Sequence, residues 1–236
     1  MGNVIEGASS GEGNVISGNG ANGVRIYADA GGPSVGNKVQ GNWIGTDETG
    51  KLHLGNHQNG VYLQGDATAT TGSYGNEIGG GDNGDPVPPG VGNTIAFNTL
   101  NGVLMQGNMM VSNPIRGNAI YGNGAMGINT DEYPPEYVQL VYASSAGHLV
   151  EGYVINPTPY AETVVVDLHA STSTDAPGRG AQGRRYLGTV TLYALPGSTF
   201  FVFSGTFAKG EVISATVTEY NYSITSGFEP SLVAAS

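Results

Sequence analysis

The stretch GNVISGNGANGVRI, residues 13–26, decides the fold. It contains one unit of the form Gly-Asn-x-Val/Ile-x-x-Asn, in Gly13-Asn14…Ile16…Asn19, and a second, Asn22-Gly23-Val24, eight residues after the first Asn. The first unit returns at Gly36-Asn37…Val39…Asn42, Gly92-Asn93…Ile95…Asn98 and Gly117-Asn118…Ile120…Asn123, with partial copies from Gly2-Asn3 and Gly75-Asn76. The second returns at Asn59-Gly60-Val61, Asn101-Gly102-Val103 and Met126-Gly127-Ile128. Each unit reads as a short strand with one or two inward aliphatic side chains, bounded by Asn-Gly turns that tolerate positive φ. One such coil cannot bury its apolar side chains. Coils stacked at the strand spacing of about 4.7–4.9 Å can, with equivalent positions forming columns.

The expected inward columns are Ile16–Val39–Ile78–Ile95–Ile120 and Val24–Val61–Val103–Ile128. Recurrent Asn at the turns predicts amide ladders: Asn14, Asn37, Asn93 and Asn118 at one turn, and Asn19, Asn42, Asn98 and Asn123 at the next. Successive Gly-Asn starts are 23, 39, 17 and 25 residues apart, as loops of varied length on a constant coil would give. The expected outward columns are Val15–Lys38–Glu77–Thr94–Ala119, Ser17–Gln40–Gly79–Ala96–Tyr121 and Arg25–Tyr62–Leu104–Asn129. Helical periodicity is absent from this region.

Composition agrees with a turn-rich β protein. The chain has 40 glycines in 236 residues, only 11% charged residues and 39% hydrophobic ones. Ordinary hydrophobicity with low charge argues against disorder, and no third-residue glycine period points to collagen. The net charge of −11 is spread over the chain: residues 1–132 carry four basic and eleven acidic side chains, residues 133–236 four and eight. No basic stripe is present, so nucleic acid is not an expected partner. No run approaches 18 apolar residues, so no membrane insertion is expected. With no cysteine, disulfides, thiolate catalysis and cysteine metal sites are excluded. Met1 runs straight into Gly2-Asn3-Val4-Ile5, already within the repeat. The chain is therefore expected to start inside a longer natural one, its export signal removed.

The segments GNVISGNGANGVRI, VQGNWIGTDETGKLHLGNHQNGVYL (39–63) and NPIRGNAIYGNGAMGI (113–128) resemble the Asn/Gly-rich parallel β-helix repeats of large bacterial secreted and cell-surface proteins. That resemblance implies a right-handed helix of three-faced coils. From about Tyr133 the Asn-Gly rhythm stops, and Pro134-Pro135 marks a boundary. Strand-like runs follow near 137–142, 148–155, 163–170, 185–193, 199–207 and 212–219, with Val164, Val166 and Leu168 alternating against Val165, Asp167 and His169. This tail is similar to the β-sandwich that often ends the same surface proteins. The expected fold is thus all-β: a right-handed parallel β-helix over 1–132, followed by a small antiparallel β-sandwich over 133–236, Ig-like or jelly-roll-like.

Several residues are candidates for chemistry. Trp43, the only tryptophan, precedes the insertion Gly45-Thr46-Asp47-Glu48-Thr49-Gly50-Lys51-Leu52-His53-Leu54. An outward indole there could stack on a sugar ring, with Asp47, Lys51 and Tyr62 as further contacts. The competing reading packs Trp43 beneath the insertion and makes Thr-Asp-x-Thr-Gly a structural turn. His53 and His57 lie on a loop, where a spacing of four gives no shared face for zinc. Asp82, Asn83 and Asp85 form an oxygen-rich loop that could take calcium, although EF-hand spacing is missing. Lys38 beside Glu77 reads as a surface ion pair. Arg179, Arg184 and Arg185 make a local positive cluster that could meet an acidic glycan or offset nearby acids. Asn129-Thr130-Asp131 matches three residues of the polygalacturonases, without their paired Asp, Gly-His-Gly or Arg-x-Lys.

No outward column gathers carboxylates, so the expected function is a non-catalytic extracellular or cell-surface module, an adhesin-like scaffold contacting a polysaccharide or a surface protein. Two alternatives stand beside it. A polysaccharide lyase or glycoside hydrolase of the parallel β-helix type would follow from fold analogy. A viral or surface-layer structural protein would self-associate.

Overall fold

The computed structural model describes residues 2–7, 12–66, 72–81, 87–108, 110–130, 136–172, 182–221, 223–228 and 231–236. Among them there is no helix; the chain is all-β. In chain order the strands of the first part are β1 (Val4–Glu6), β2 (Val15–Ile16), β3 (Val24–Tyr27), β4 (Ser34–Val35), β5 (Lys38–Gln40), β6 (Trp43–Ile44) and β7 (Val61–Gln64). They continue with β8 (Ser73–Tyr74), β9 (Glu77–Gly79), β10 (Thr94–Ala96), β11 (Val103–Gln106), β12 (Ile115–Arg116), β13 (Ala119–Tyr121) and β14 (Ile128–Thr130). The second part holds β15 (Tyr137–Ser144), β16 (Leu149–Asn156), β17 (Glu162–Ser171), β18 (Arg185–Ala194), β19 (Gly197–Ser204), β20 (Val212–Glu219) and β21 (Leu232–Val233).

The first part builds three parallel sheets, β1-β5-β9-β12, β2-β6-β10-β13 and β3-β7-β11-β14, with β4-β8 as a short extra pair. The chain visits the three in rotation and returns to each one strand further on, an arrangement compatible with a β-helix. Their inner faces share one core, which holds Val39, Ile44, Val61, Ile78, Ile95, Val103, Ile120 and Ile128. The third sheet has the expected inward column, Val24–Val61–Val103–Ile128. The other expected column is corrected: it mixes two sheets. Ile16 stacks with Ile44, Ile95 and Ile120 in the second sheet. Val39 stacks with Ile5, Ile78 and Ile115 in the first. The first two outward columns split the same way, so that Val15, Trp43, Thr94 and Ala119 run together while Lys38 adjoins Val4 and Glu77. The reason is that Gly-Asn units lead into both the first and the second sheet, as at Asn37 and Asn42, five residues apart in one circuit.

The Asn ladders are present, with a corrected membership that follows the same split. One runs Asn3–Asn37–Asn76–Asn113, each Nδ2 donating to the next Oδ1 at 2.7–2.9 Å. A second runs Asn14–Asn42–Asn93–Asn118 and a third Asn19–Asn56–Asn98–Asn123. In all three, the same Oδ1 also accepts the backbone N–H of the preceding Asn, for example Asn3 to Asn37 at 3.0 Å and Asn98 to Asn123 at 3.1 Å. A fourth ladder points the other way, Asn101 donating to Asn59 and Asn59 to Asn22. The glycine that precedes most of the Asn residues in the first three ladders has two uses. Gly36 takes φ +67°, and a Cβ on Gly92 would stand 2.0 Å from the Gly117 carbonyl oxygen one circuit on. Phe97 occupies the left-handed region before Asn98, at φ +60°, without being glycine.

The second part has two antiparallel sheets, β15-β16-β19 and β18-β17-β20-β21, sharing one apolar core. Strand positions follow the sequence expectation closely, β17 extending at both ends to Glu162 and Ser171. Both faces of β17 are buried: Asp167 and His169 are covered as fully as Val166 and Leu168. The Asp167 side of the sheet lies across the last circuit of the parallel part. Arg116, 1% exposed, donates from Nε to Asp167 Oδ2 at 2.8 Å and from Nη2 to Oδ1 at 2.9 Å. Gln182 accepts from Asn123 Nδ2 at 3.3 Å, taking the place of a further Asn in the third ladder, and Gly183 exchanges two 2.7 Å backbone bonds with Ile120. Ile115 N donates to Thr225 Oγ1. The boundary expected at 132/133 falls in 131–135, outside the described residues.

Candidate functional site

The outward column of the third sheet is the expected one, Arg25–Tyr62–Leu104–Asn129, and beside it run Tyr27, Gln64 and Gln106. Strict alternation in β3, β7 and β11 puts these side chains on the solvent side, since their neighbours Val24, Ile26, Val61, Leu63, Val103 and Met105 fill the core. The Arg25 guanidinium carbon lies 4.5 Å from the Tyr27 ring centroid and 5.9 Å from that of Tyr62. Its Nε donates to Gln64 Oε1 at 3.1 Å, and Tyr62 Oη donates to Gln106 Oε1 at 3.1 Å. Arg25 and Tyr27 also line a hollow of about 400 Å³ at the first circuit, together with Lys38, Ser34, Ile5, Val24 and Val39. The result is a flat face of aromatic rings and fixed hydrogen-bonding groups, with an amphipathic hollow at one end.

Of the residues expected to bind, the structure brings only Tyr62 to this face. Trp43 points outward from the second sheet, half-buried, and a Cβ on Gly13 would come within 2.9 Å of its ring. Asp47 folds its own loop: its carboxylate accepts from Thr49 Oγ1 at 2.6 Å and from the Lys51 and Leu52 amides at 3.0 Å. Those bonds, led by the Thr49 hydroxyl, hold it well below the usual carboxylate range. Lys51 is exposed on the same loop. His53 stacks on Phe97 at 3.8 Å, while His57 Nδ1 lies 3.1 Å from Asn19 O, so the two rings serve different contacts. Lys38 and Glu77 do pair, at 2.8 Å. The arginine cluster separates: Arg184 lies over the Tyr121 ring at 4.1 Å, Arg185 pairs with Glu211 at 2.9 Å, and Arg179 is outside the described residues. Asp82, Asn83, Asp85 and Asp131 also lie outside them.

A second cluster was not anticipated. Glu136, Glu162 and Glu219 each sit two residues from an inward aliphatic, Val138, Val164 and Val217, all three of them in the shared core. Strand alternation therefore turns all three carboxylates into the space between the antiparallel sheets. Glu219 lies on β20 opposite Val164, diagonal to Glu162, and Glu136 enters at the start of β15 from the other sheet. Carboxylate oxygens of the three lie within 4.8 Å of one another. Glu136 and Glu219 are buried and Glu162 is half-buried. Burial, with a further contribution from Glu219, pushes Glu136 up to about 7; burial and then Glu136 bring Glu162 to about 7. Glu219 is raised too, by burial first and then by the Glu162 charge. The available signal was an acid in the inward phase of an alternating strand, in Glu-Tyr-Val, Glu-Thr-Val and Val-Thr-Glu.

Comparison with protein-family models, with curated proteins and with solved structures finds no match to this chain.

Proposed function

We propose that this chain is a right-handed parallel β-helix closed by a β-sandwich, and that it serves as a non-catalytic, extracellular or cell-surface scaffold contacting a polysaccharide. The resemblance of its Asn-Gly coils to bacterial secreted and surface proteins supports the architecture and the location. The hand is supported by the strong right-handed preference of crossovers between parallel strands. The observation that carries the binding role is the face of Arg25, Tyr27, Tyr62, Gln64 and Gln106. Aromatic rings offer stacking surfaces to the C–H faces of sugars, and the guanidinium, phenol and amide groups offer hydrogen bonds to hydroxyls. The rings and amides are held by one another, which lowers the entropy lost on binding.

A panel of neutral and uronate-containing polysaccharides, immobilised and read with and without calcium, tests the proposal. Binding that weakens in Arg25→Ala and Tyr62→Ala supports it. Release of reducing ends or unsaturated uronate from any of these polymers would replace it with the lyase or hydrolase reading.

A further inference from the structure

We propose that Glu136, Glu162 and Glu219 together hold one divalent cation of the calcium class between the two antiparallel sheets. The first ground is geometric. Calcium–oxygen bonds of about 2.3–2.6 Å place two oxygens on one ion at most about 5 Å apart. The 4.8 Å within which the three carboxylates fall lies inside that limit. Magnesium, with bonds of about 2.0–2.1 Å, sets a limit nearer to about 4 Å and demands stricter octahedral geometry.

The second ground is independent of the cluster's acidity. Glu136 is 1% exposed, and neither of its oxygens accepts a hydrogen bond. A buried carboxylate normally recruits donors or a cation, because burying its charge alone is costly. Among the described residues no Lys or Arg forms an ion pair with any of the three, the observed pairs being Lys38–Glu77, Arg116–Asp167 and Arg185–Glu211. Three neighbouring carboxylates without a basic partner are neutralised either by protons or by a metal ion. Hard carboxylate oxygens, with no His or Cys among them, select calcium over zinc. The half-buried Glu162 leaves one side of the cluster open to solvent for entry.

The test is thermal unfolding of the full chain at mildly alkaline pH, in EDTA and in millimolar calcium chloride, for the native protein and for Glu136→Gln and Glu162→Gln. The expected result is a calcium-induced rise of several degrees in the native protein, as ligand linkage requires. Both variants should melt in EDTA at or above the native temperature, since each loses one like charge, and neither should respond to calcium. Two results would overturn the proposal. A native protein indifferent to calcium but stabilised by acid would show that protons alone neutralise the cluster. A calcium response retained in both variants would place the ion elsewhere, the 82–85 segment being the obvious candidate.

Discussion

Asn98→Ala is the sharpest probe of the ladders. Asn98 is buried in the middle of the third ladder, and its Oδ1 accepts both from Asn56 N at 3.2 Å and from Asn56 Nδ2 at 2.8 Å. Its own Nδ2 donates to Asn123 Oδ1 at 3.0 Å and to the Ile44 and Ala96 carbonyls at 3.2 Å. Alanine removes all of these. Asn56, itself fully buried, keeps its bond to Ile16 O but is left with two N–H groups lacking an acceptor. At about 1–3 kcal/mol for each buried unsatisfied group, the cost is about 2–6 kcal/mol. The control is Asn19→Ala at the exposed start of the same ladder. It removes one bond to Asn56 Oδ1, while the backbone N–H of residue 19 still reaches that oxygen. Its cost should stay near 1 kcal/mol or below. Urea denaturation reads both, provided that the m-values of the three proteins agree. Equal and small losses for Asn98→Ala and Asn19→Ala would mean that water substitutes freely for a rung, and the ladder would carry no stability.

Arg116→Met should cost about 3–5 kcal/mol, because it strands the Asp167 carboxylate in a dry interface; adding Asp167→Asn should recover part of the loss in a denaturation series. Burial brings Glu136 and Glu162 to about 7 in the folded chain, against an ordinary glutamate value of 4.5, so the fold binds protons that the unfolded chain has released. Without calcium, their contribution should make stability fall as pH rises from about 4.5 through about 7, and the slope of the urea midpoint should flatten in Glu136→Gln. His169 acts with the opposite sign. Burial lowers it from 6.5 to about 4, so stability should be lost as pH falls through that window, and His169→Phe should remove this component. For the glycan face, Arg25→Ala should weaken binding roughly tenfold, equivalent to about 1.4 kcal/mol, without moving the unfolding midpoint by more than a degree or so.

Much of this architecture can be read along the chain, and the places where reading fails have physical causes. The Val24–Val61–Val103–Ile128 column was legible because each member follows a Gly in the same Asn/Met-Gly-x context, and the antiparallel strands because runs of β-branched and aromatic residues stand between turn-forming segments. The Ile16 and Val39 columns were not separable. Gly-Asn-x-Val/Ile looks the same whether it enters the first sheet or the second, and only register tells them apart. Asn56 and Asn113 escaped for a related reason, lying at the ends of insertions that break the spacing. The burial of Asp167 and His169 is not visible in the alternation itself, because a sheet docked on the end of another element is covered on both sides. The acid cluster joins residues 136, 162 and 219, a proximity that no local spacing encodes.

The rung supplied by Gln182 couples two parts of the chain that would otherwise assemble separately. A stack of parallel strands ends in bare amides and carbonyls, which recruit other chains edge to edge. Here the terminating groups arrive 59 residues after the Asn that needs them, on a segment positioned by the antiparallel sheets. Until those sheets form, the last circuit stays an adhesive template. The folding order of the second part therefore sets how long the protein is exposed to aggregation, and a chain cut after Thr130 should sediment as oligomers where the intact one does not.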